Sequence, residues 1–80
     1  MRGIVAWFNS ARGYGFVSPT DDAGVMTGGK DIFCHFSDIL MDGYKALSQG
    51  DHVEFEAEKR DGRTVATNVR VIEKAVGHGR

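Results

Sequence analysis

The chain has 80 residues, of which 41% are hydrophobic and 26% are charged, and its formal net charge is −1. These values indicate one globular domain, and they exclude a disordered chain, a membrane span and a large enclosed active site. The single cysteine, Cys34, excludes an internal disulfide, and we expect a cytoplasmic protein because no secretory signal opens the sequence.

Two strands are predicted at the start of the chain, and both carry aromatic side chains. Residues 2–8 are rich in β-branched and aromatic residues, which predicts a strand. Residues 12–18 follow a turn, and this second strand is predicted to end at Pro19, because proline has no backbone N–H to donate to a neighbouring strand. Trp7 and Phe8 are neighbours, so they cannot share one face of a regular strand. Either one of these rings is buried, or a bulge turns both outward.

The second strand and a third, at residues 31–36, are each predicted to have one face of rings and one of small or aliphatic side chains. Tyr14 and Phe16 share a face of the second strand, and Phe33 and His35 share a face of the third. Two interpretations are open: the rings fill the core of a thin sandwich, or they form an exposed platform. We favour the platform, because flat rings beside a cation suit unstacked bases and their phosphates.

The remaining chain indicates two further strands after loops at residues 20–30 and 37–50. His52 to Glu58 alternates strictly, which predicts a half-buried strand with an acidic outer face. Its predicted inward residues are Val53, Phe55 and Ala57.

A hairpin is predicted between this strand and the last one. Asp61-Gly62 is a strong turn signal, and residues 64–72 form the fifth strand. Its predicted inner face consists of Val65, Val69 and Val71. Five short strands without a real helix predict an all-β sandwich or barrel, and closing the sheet would remove its unpaired edges.

Three stretches, in this order and spacing, resemble the cold-shock domain family. They are residues 7–10 (WFNS), 12–17 (RGYGFV) and 31–37 (DIFCHFS), and the resemblance covers about residues 2 to 72. It implies a five-stranded antiparallel OB-fold barrel. We therefore assign residues 1–74 to the domain and residues 75–80 to a flexible tail.

The resemblance also implies a function and a set of roles. It implies a non-enzymatic cold shock protein that binds single-stranded RNA and single-stranded DNA on an aromatic face, with RNA-chaperone activity and a part in transcription or translation regulation. Base-stacking roles carry over to seven rings: Trp7, Tyr14, Phe16, Phe33, His35, Phe36 and Tyr44. Phe8 is a neighbouring ring that supports the face, Arg12 lies near the backbone phosphates, and Asn9 and Asp31 match positions that hydrogen-bond base edges.

Some cations that are common in the family are missing from this chain. Ala6 and Ile4 stand at positions where the family often has basic residues, so weaker binding and a shallower salt dependence are expected. Lys30, Lys45 and Arg63 are the cations that would compensate, and we include the last two among the binding residues.

The main alternative is an OB-type protein-interaction module that uses the same aromatic face, which the net negative charge favours. An enzyme is disfavoured because no catalytic set of residues is recognisable. A metal site from Cys34, His35, His52 and His78 is a weak alternative, since adjacent Cys and His side chains point to opposite faces of a strand. We expect no cofactor, no metal, no small-molecule substrate and no membrane contact. A monomer is the default, with strand exchange through the long loop as the alternative.

Overall fold

The computed structural model describes residues 1–41 and 46–74, and five strands form within this part of the chain. They are β1 (Arg2–Asn9), β2 (Tyr14–Thr20), β3 (Ile32–His35), β4 (His52–Arg60) and β5 (Arg63–Glu73), with a 3₁₀ turn at Phe36–Asp38. The predicted binding residues Tyr44 and Lys45, and the predicted tail at residues 75–80, lie outside the described residues. Among the described residues no helix is long and apolar enough to cross a membrane.

The five strands close into a barrel in the order β1-β2-β3-β5-β4, with β4 pairing back onto β1. This confirms the predicted all-β, five-stranded closed sheet. The pairing of β3 with β5 is parallel, whereas the prediction was antiparallel throughout. Strands in a closed ring of odd number cannot alternate in direction all the way round, so one neighbouring pair must run the same way.

The core of the barrel is filled by aliphatic side chains and one ring. Its buried members are Val5, Val17, Ile32, Cys34, Ile39, Leu47, Val53, Phe55, Ala66 and Val69. The rings of Tyr14, Phe16 and Phe33 are only partly buried and do not belong to this cluster. The interpretation in which the rings fill the core of a thin sandwich is therefore wrong, and the alternation of buried and half-buried residues in β2 and β3 is as predicted.

A bulge in β1 separates the two neighbouring rings. Val5 pairs with Val17 and Trp7 pairs with Phe16, so Ala6 is an extra residue on the β1 side. Trp7 turns outward, and Phe8 packs against the core. Gly15 makes this arrangement fit, because a Cβ at this position would lie 2.8 Å from Phe8 Cδ1 and would overlap the carbonyl oxygen of Trp7.

Strand β2 continues through Pro19 instead of ending before it. Pro19 pairs with Gly3 of β1, but the pairing of β2 with β3 ends at Val17 and Ile32. Pro19 thus lies where β2 has become an edge on that side, and an edge position tolerates a residue without an N–H donor. Its carbonyl accepts a hydrogen bond of 3.2 Å from the Thr27 N–H.

The β4–β5 hairpin turns at Asp61 and Gly62 as predicted, and both residues have positive φ, at 51° and 78°. Two predicted inward residues near this hairpin, Ala57 and Val65, do not belong to the core cluster, although Val65 is buried. Ala57 is exposed because β1 pairs with β4 only over residues 52–54, so nothing from β1 covers the outer part of the hairpin.

Val65 is buried, at 6% exposed, as predicted for an inward residue, but it lies outside the core cluster, and a bulge in β5 explains its position. Asn68 has a φ of 50°, and the β4 register shifts by one residue there. Before the bulge Ala66 points into the core, and beyond it Val69 does. Val65 pairs with Phe33 and is not a member of the core cluster, whereas Val71 is half-buried and packs against it, as predicted.

Candidate functional site

Four rings from β1, β2 and β3 form a closed circuit on one face of the barrel, which we call the ring cluster: Trp7, Tyr14, Phe16 and Phe33. The centroid of Trp7 lies 5.7 Å from that of Tyr14 and 5.3 Å from that of Phe16. Phe33 completes the circuit, with its centroid 5.7 Å from Tyr14 in a stacked arrangement and 5.8 Å from Phe16 in an edge arrangement. These separations fall in the range of favourable aromatic pairs, so the rings hold each other in place.

The ring cluster is presented to solvent although it consists of large apolar side chains. Trp7 is 42% exposed, and the other three rings are partly exposed. The aliphatic core lies on the opposite side of the same strands, so the rings are not needed to fill the barrel. A contiguous exposed aromatic surface of this kind is typical of a binding site.

His35 and Phe36 extend the aromatic surface at one end, with 4.6 Å between their ring centroids. His35 Nδ1 is held by Ser37, at 3.3 Å from its backbone nitrogen and 2.9 Å from its hydroxyl oxygen. Nδ1 is thus engaged within the protein, and Nε2 is the ring nitrogen left for a ligand. Phe36 belongs to the 3₁₀ turn rather than to β3, is 45% exposed, and lies over Gly13, whose φ is +81°.

A polar pair lies at the other end of the surface. Asp31 immediately precedes β3 and continues the alternation of Phe33 and His35 toward its N-terminal end. Its Oδ1 accepts a hydrogen bond of 2.7 Å from the Ser18 hydroxyl. Asp31 is exposed, so its second carboxylate oxygen is open to a donor such as a base amino group. Ser18 was not predicted as part of the site, although the alternation from Tyr14 and Phe16 would have identified it.

Two predicted binding residues, Asn9 and Arg12, also stabilise the turn between β1 and β2. Asn9 Oδ1 accepts a hydrogen bond from the Arg12 N–H at 3.0 Å, and the Asn9 carbonyl accepts one from the Gly13 N–H at 2.7 Å. Asn9 and Arg12 are both exposed. Because Asn9 pairs with Tyr14 across β1 and β2, this turn lies next to the ring cluster. Phe8, by contrast, does not face the ring cluster, because the β1 bulge directs it against the core.

A groove of about 390 Å³ lies between the ring cluster and the β4–β5 hairpin, with Phe33, His35 and Val65 among its lining residues. The guanidinium of Arg63 lies over the Phe33 ring, 5.5 Å from its centroid, in a cation–π contact. Val65 was predicted to face the inside of the barrel, but it lines this groove instead. The only sign of the β5 bulge in the sequence was Asn68, because asparagine tolerates a positive φ.

The two arginines of this hairpin differ in their partners. Arg60 lies 3.5 Å from an Asp38 oxygen and 3.2 Å from a Glu58 oxygen. Among the described residues, no carboxylate lies within ion-pair distance of Arg63. Of these two arginines, Arg63 is therefore the one that forms no ion pair within the described part of the chain, and its guanidinium is available to an anionic ligand.

Nucleophilic chemistry at Cys34 is disfavoured by its surroundings. The thiol is fully buried, and burial, followed by the negative charge of Asp38, raises the pKa of Cys34 to about 12. It is thus protonated at neutral pH and acts as a small core side chain. In the described part of the chain no three His, Cys, Asp or Glu side chains form a group that could hold a metal ion; His78 lies outside that part.

Comparison with known proteins identifies the family. A family profile described as "'Cold-shock' DNA-binding domain" matches residues 1–72. The chain belongs to the cold-shock domain family. It is 47% identical over 70 residues to the cold shock-like protein CspA of Stigmatella aurantiaca, which covers 88% of this chain and 94% of that protein. It is 42% identical over 72 residues to the cold shock-like protein CspC of Escherichia coli K12, which covers 90% of this chain and 96% of that protein.

A solved structure supports the fold of this cold-shock domain. The structure entitled "drosophila Unr CSD456" superposes with a TM-score of 0.64 at 20% identity. The match covers 89% of this chain and 26% of the longer one, so this chain spans about a quarter of that protein's length. Family membership identifies a nucleic-acid-binding domain, and it confirms the resemblance that the three sequence stretches indicated.

Proposed function

We propose that this cold-shock domain binds single-stranded RNA and single-stranded DNA through the ring cluster and acts, without enzymatic activity, as an RNA chaperone in the cytoplasm. The observation that carries the proposal is the circuit of Trp7, Tyr14, Phe16 and Phe33, exposed on a barrel whose core is filled without them. Rings that are not needed for packing are available to a ligand.

Unpaired bases are the ligand that suits this surface best. Stacking of a base on an aromatic side chain contributes about 1–3 kcal/mol and tolerates any base, because every base has a π-face. In a duplex the same faces are already stacked on neighbouring bases, so single strands are preferred. His35 and Phe36 offer further stacking surface, and Asp31 offers an acceptor for a base edge. Base preference would therefore be weak.

The chaperone activity follows from binding of this kind. A protein that binds unpaired strands but not duplexes shifts the equilibrium toward the unpaired form by mass action, in proportion to its concentration. Because no covalent step is involved, we propose that melted RNA structure refolds when the protein is removed. Opening of terminator or leader hairpins would give such a protein a role in transcription or translation.

The direct test is a titration of heptathymidine and heptauridine into the protein at low salt, followed by Trp7 fluorescence. Trp7 is the single tryptophan of the chain, so a base stacked beside it would quench the signal directly. We expect saturable quenching that weakens with added salt. A blunt duplex of the same length serves as the control and should give much weaker quenching. A folded protein whose fluorescence ignores both single strands would contradict the proposal and favour the protein-interaction module.

A further inference from the structure

A second, more basic channel lies on the other side of Arg63 from the groove at the ring cluster. It has a volume of about 660 Å³, and Lys30, Asp31, Lys59 and Arg63 contribute its charged side chains. Lys30 comes from the long β2–β3 loop, and Lys59 and Arg63 come from opposite strands of the β4–β5 hairpin. Two segments that are about 30 residues apart in the chain thus meet to form it.

The channel carries a net positive charge, in contrast to the protein as a whole. Three cations face one carboxylate, that of Asp31, which gives a formal charge of +2. One oxygen of this carboxylate already accepts a hydrogen bond from Ser18. No ion pair involves Lys30 or Lys59 among the residues that the structure describes, and both side chains are exposed. The charge of the channel is therefore available to an anion.

The channel is continuous with the ring cluster through two residues. Arg63 lines both the channel and the groove beside Phe33, and its guanidinium lies over the Phe33 ring. Asp31 lines the channel and lies two residues before Phe33 in the chain, on the same face by alternation. A strand that stacks a base on Phe33 would pass Arg63 and enter the channel.

We propose that this channel binds the sugar–phosphate backbone of the nucleotides that continue beyond the ring cluster, and so lengthens the bound segment of the strand. The inference rests on the proposed function. None of the channel's lining residues is aromatic, so it offers no stacking surface to bases. Lysine ammonium groups are mobile point charges that suit phosphates without a fixed geometry. The backbone, rather than the bases, is the ligand that this chemistry recognises.

The test compares hexathymidine with hexathymidine that carries four abasic nucleotides at its 5′ or its 3′ end. Abasic nucleotides supply phosphates without bases, so a gain in affinity reports backbone contacts alone. For the wild-type chain we expect one of the two extensions to tighten binding about threefold to tenfold at low salt. The slope of log affinity against log salt concentration should also become steeper by about 1.4, because two additional phosphates of a single strand are neutralised.

A charge-matched pair of double variants assigns this gain to the channel. Lys30→Gln with Lys59→Gln should remove the gain from the extension and leave the affinity for hexathymidine within about twofold. Arg2→Gln with Arg70→Gln removes the same total charge from the end of β4 that lies away from the hairpin, where both arginines are β-ladder neighbours of Glu54, and should keep the gain. An extension with an uncharged methylphosphonate backbone should give no gain with wild-type protein, which provides a measurement independent of any variant.

Several outcomes would overturn the proposal. They are no gain from either extension, an equal gain with the methylphosphonate extension, retention of the gain in the lysine double variant, or equal loss of the gain in the arginine control. Loss of hexathymidine binding in the lysine variant would also overturn it, since the lysines would then act at the ring cluster. Failure of the proposed function is distinguishable, because wild-type protein would then not bind hexathymidine at all.

Discussion

The guanidinium of Arg63 lies over the ring of Phe33, with 5.5 Å between its Cζ atom and the ring centroid. This contact joins the cation of the β4–β5 hairpin to a ring on β3, and it places positive charge at the edge of the stacking surface. Among the described cations of the hairpin, Arg60 is offset by Asp38 and Glu58, whereas Arg63 is not. Arg63 is therefore expected to contribute more to strand binding than Arg60 does.

Replacement of Arg63 by Gln should weaken heptathymidine binding about threefold to tenfold at low salt. It should also reduce the slope of log affinity against log salt by about 0.7, because one phosphate contact is lost. Arg63→Lys should keep the slope, since the charge remains. Arg60→Gln is the matched control and should change the slope little, because its charge is already paired. Equal slopes for the wild-type and Arg63→Gln proteins would show that Arg63 contacts no phosphate.

Truncation of a ring in the cluster should separate binding from stability. Phe16→Ala or Phe33→Ala should weaken oligonucleotide binding by about 1–3 kcal/mol, the contribution of one stacked base. Both rings lie outside the core cluster, so the barrel should stay folded. Phe55→Ala is the contrasting control: this ring is 2% exposed, and its loss should lower the free energy of unfolding by about 3–5 kcal/mol. Fluorescence titration and urea denaturation measure the two effects. Full affinity in a folded Phe16→Ala/Phe33→Ala protein would exclude stacking on these rings.

Gly15 should be intolerant of even one added carbon. A Cβ there would lie 2.7 Å from Phe8 Cα and would overlap the Trp7 carbonyl oxygen, and both are backbone atoms that cannot rotate away. Gly15→Ala should therefore lower the free energy of unfolding by about 1–3 kcal/mol and shift Trp7, which weakens strand binding as well. Gly29→Ala is the control, because its nearest neighbour would be Pro19 Cγ at 3.4 Å. Thermal denaturation that gives the same midpoint for both variants would contradict the close packing at Gly15.

Cys34 should make the barrel less stable at alkaline pH. Its pKa is raised from 9.0 to about 12 by burial and then by Asp38, so the folded state favours the neutral thiol. This contribution is fully present below pH 9, the unfolded value, and is lost as pH rises toward 12. At pH 10 the loss amounts to about 1.4 kcal/mol relative to pH 7.

The measurement for Cys34 is urea denaturation at pH 7 and pH 10 for the wild-type protein and for Cys34→Ala. The variant loses core volume and is less stable at both values, but it should lose about 1.4 kcal/mol less between them, because it has no thiol to titrate. Other groups that titrate in this range act equally on both proteins and cancel in the comparison. Identical pH dependence of the two proteins would contradict the raised pKa.

Local patterns in the sequence predicted much of the fold and of the ring cluster. The alternation of Tyr14, Gly15, Phe16 and Val17 assigned rings and core residues to opposite faces, and the structure confirms it. Asp61-Gly62 predicted the hairpin, since this pair readily adopts the positive φ values found there. These predictions succeeded because the two-residue period of a strand and the φ preference of a turn are properties of a few neighbouring residues.

The features that the sequence left undetermined depend on contacts between distant segments. The sequence did not locate the bulges at Ala6 and Asn68, each of which shifts the alternation of its strand. As a result Phe8 packs against the core, and Val65, although buried, lies beside Phe33 on the other face from Val69. A bulge forms only in relation to a partner strand, so its position follows from pairing and closure rather than from local preference.

By itself, then, the sequence determined the strands, the hairpin turn, the separation of rings from aliphatic side chains and, through three motifs, the family. Only the tertiary structure decided the parallel β3–β5 pairing, the placement of Arg63 over Phe33, and the meeting of Lys30 with Lys59 in one channel. The physical reason is the sequence distance over which each effect acts. Backbone geometry depends on two or three neighbouring residues, whereas closing the barrel joins strands that are far apart in the chain.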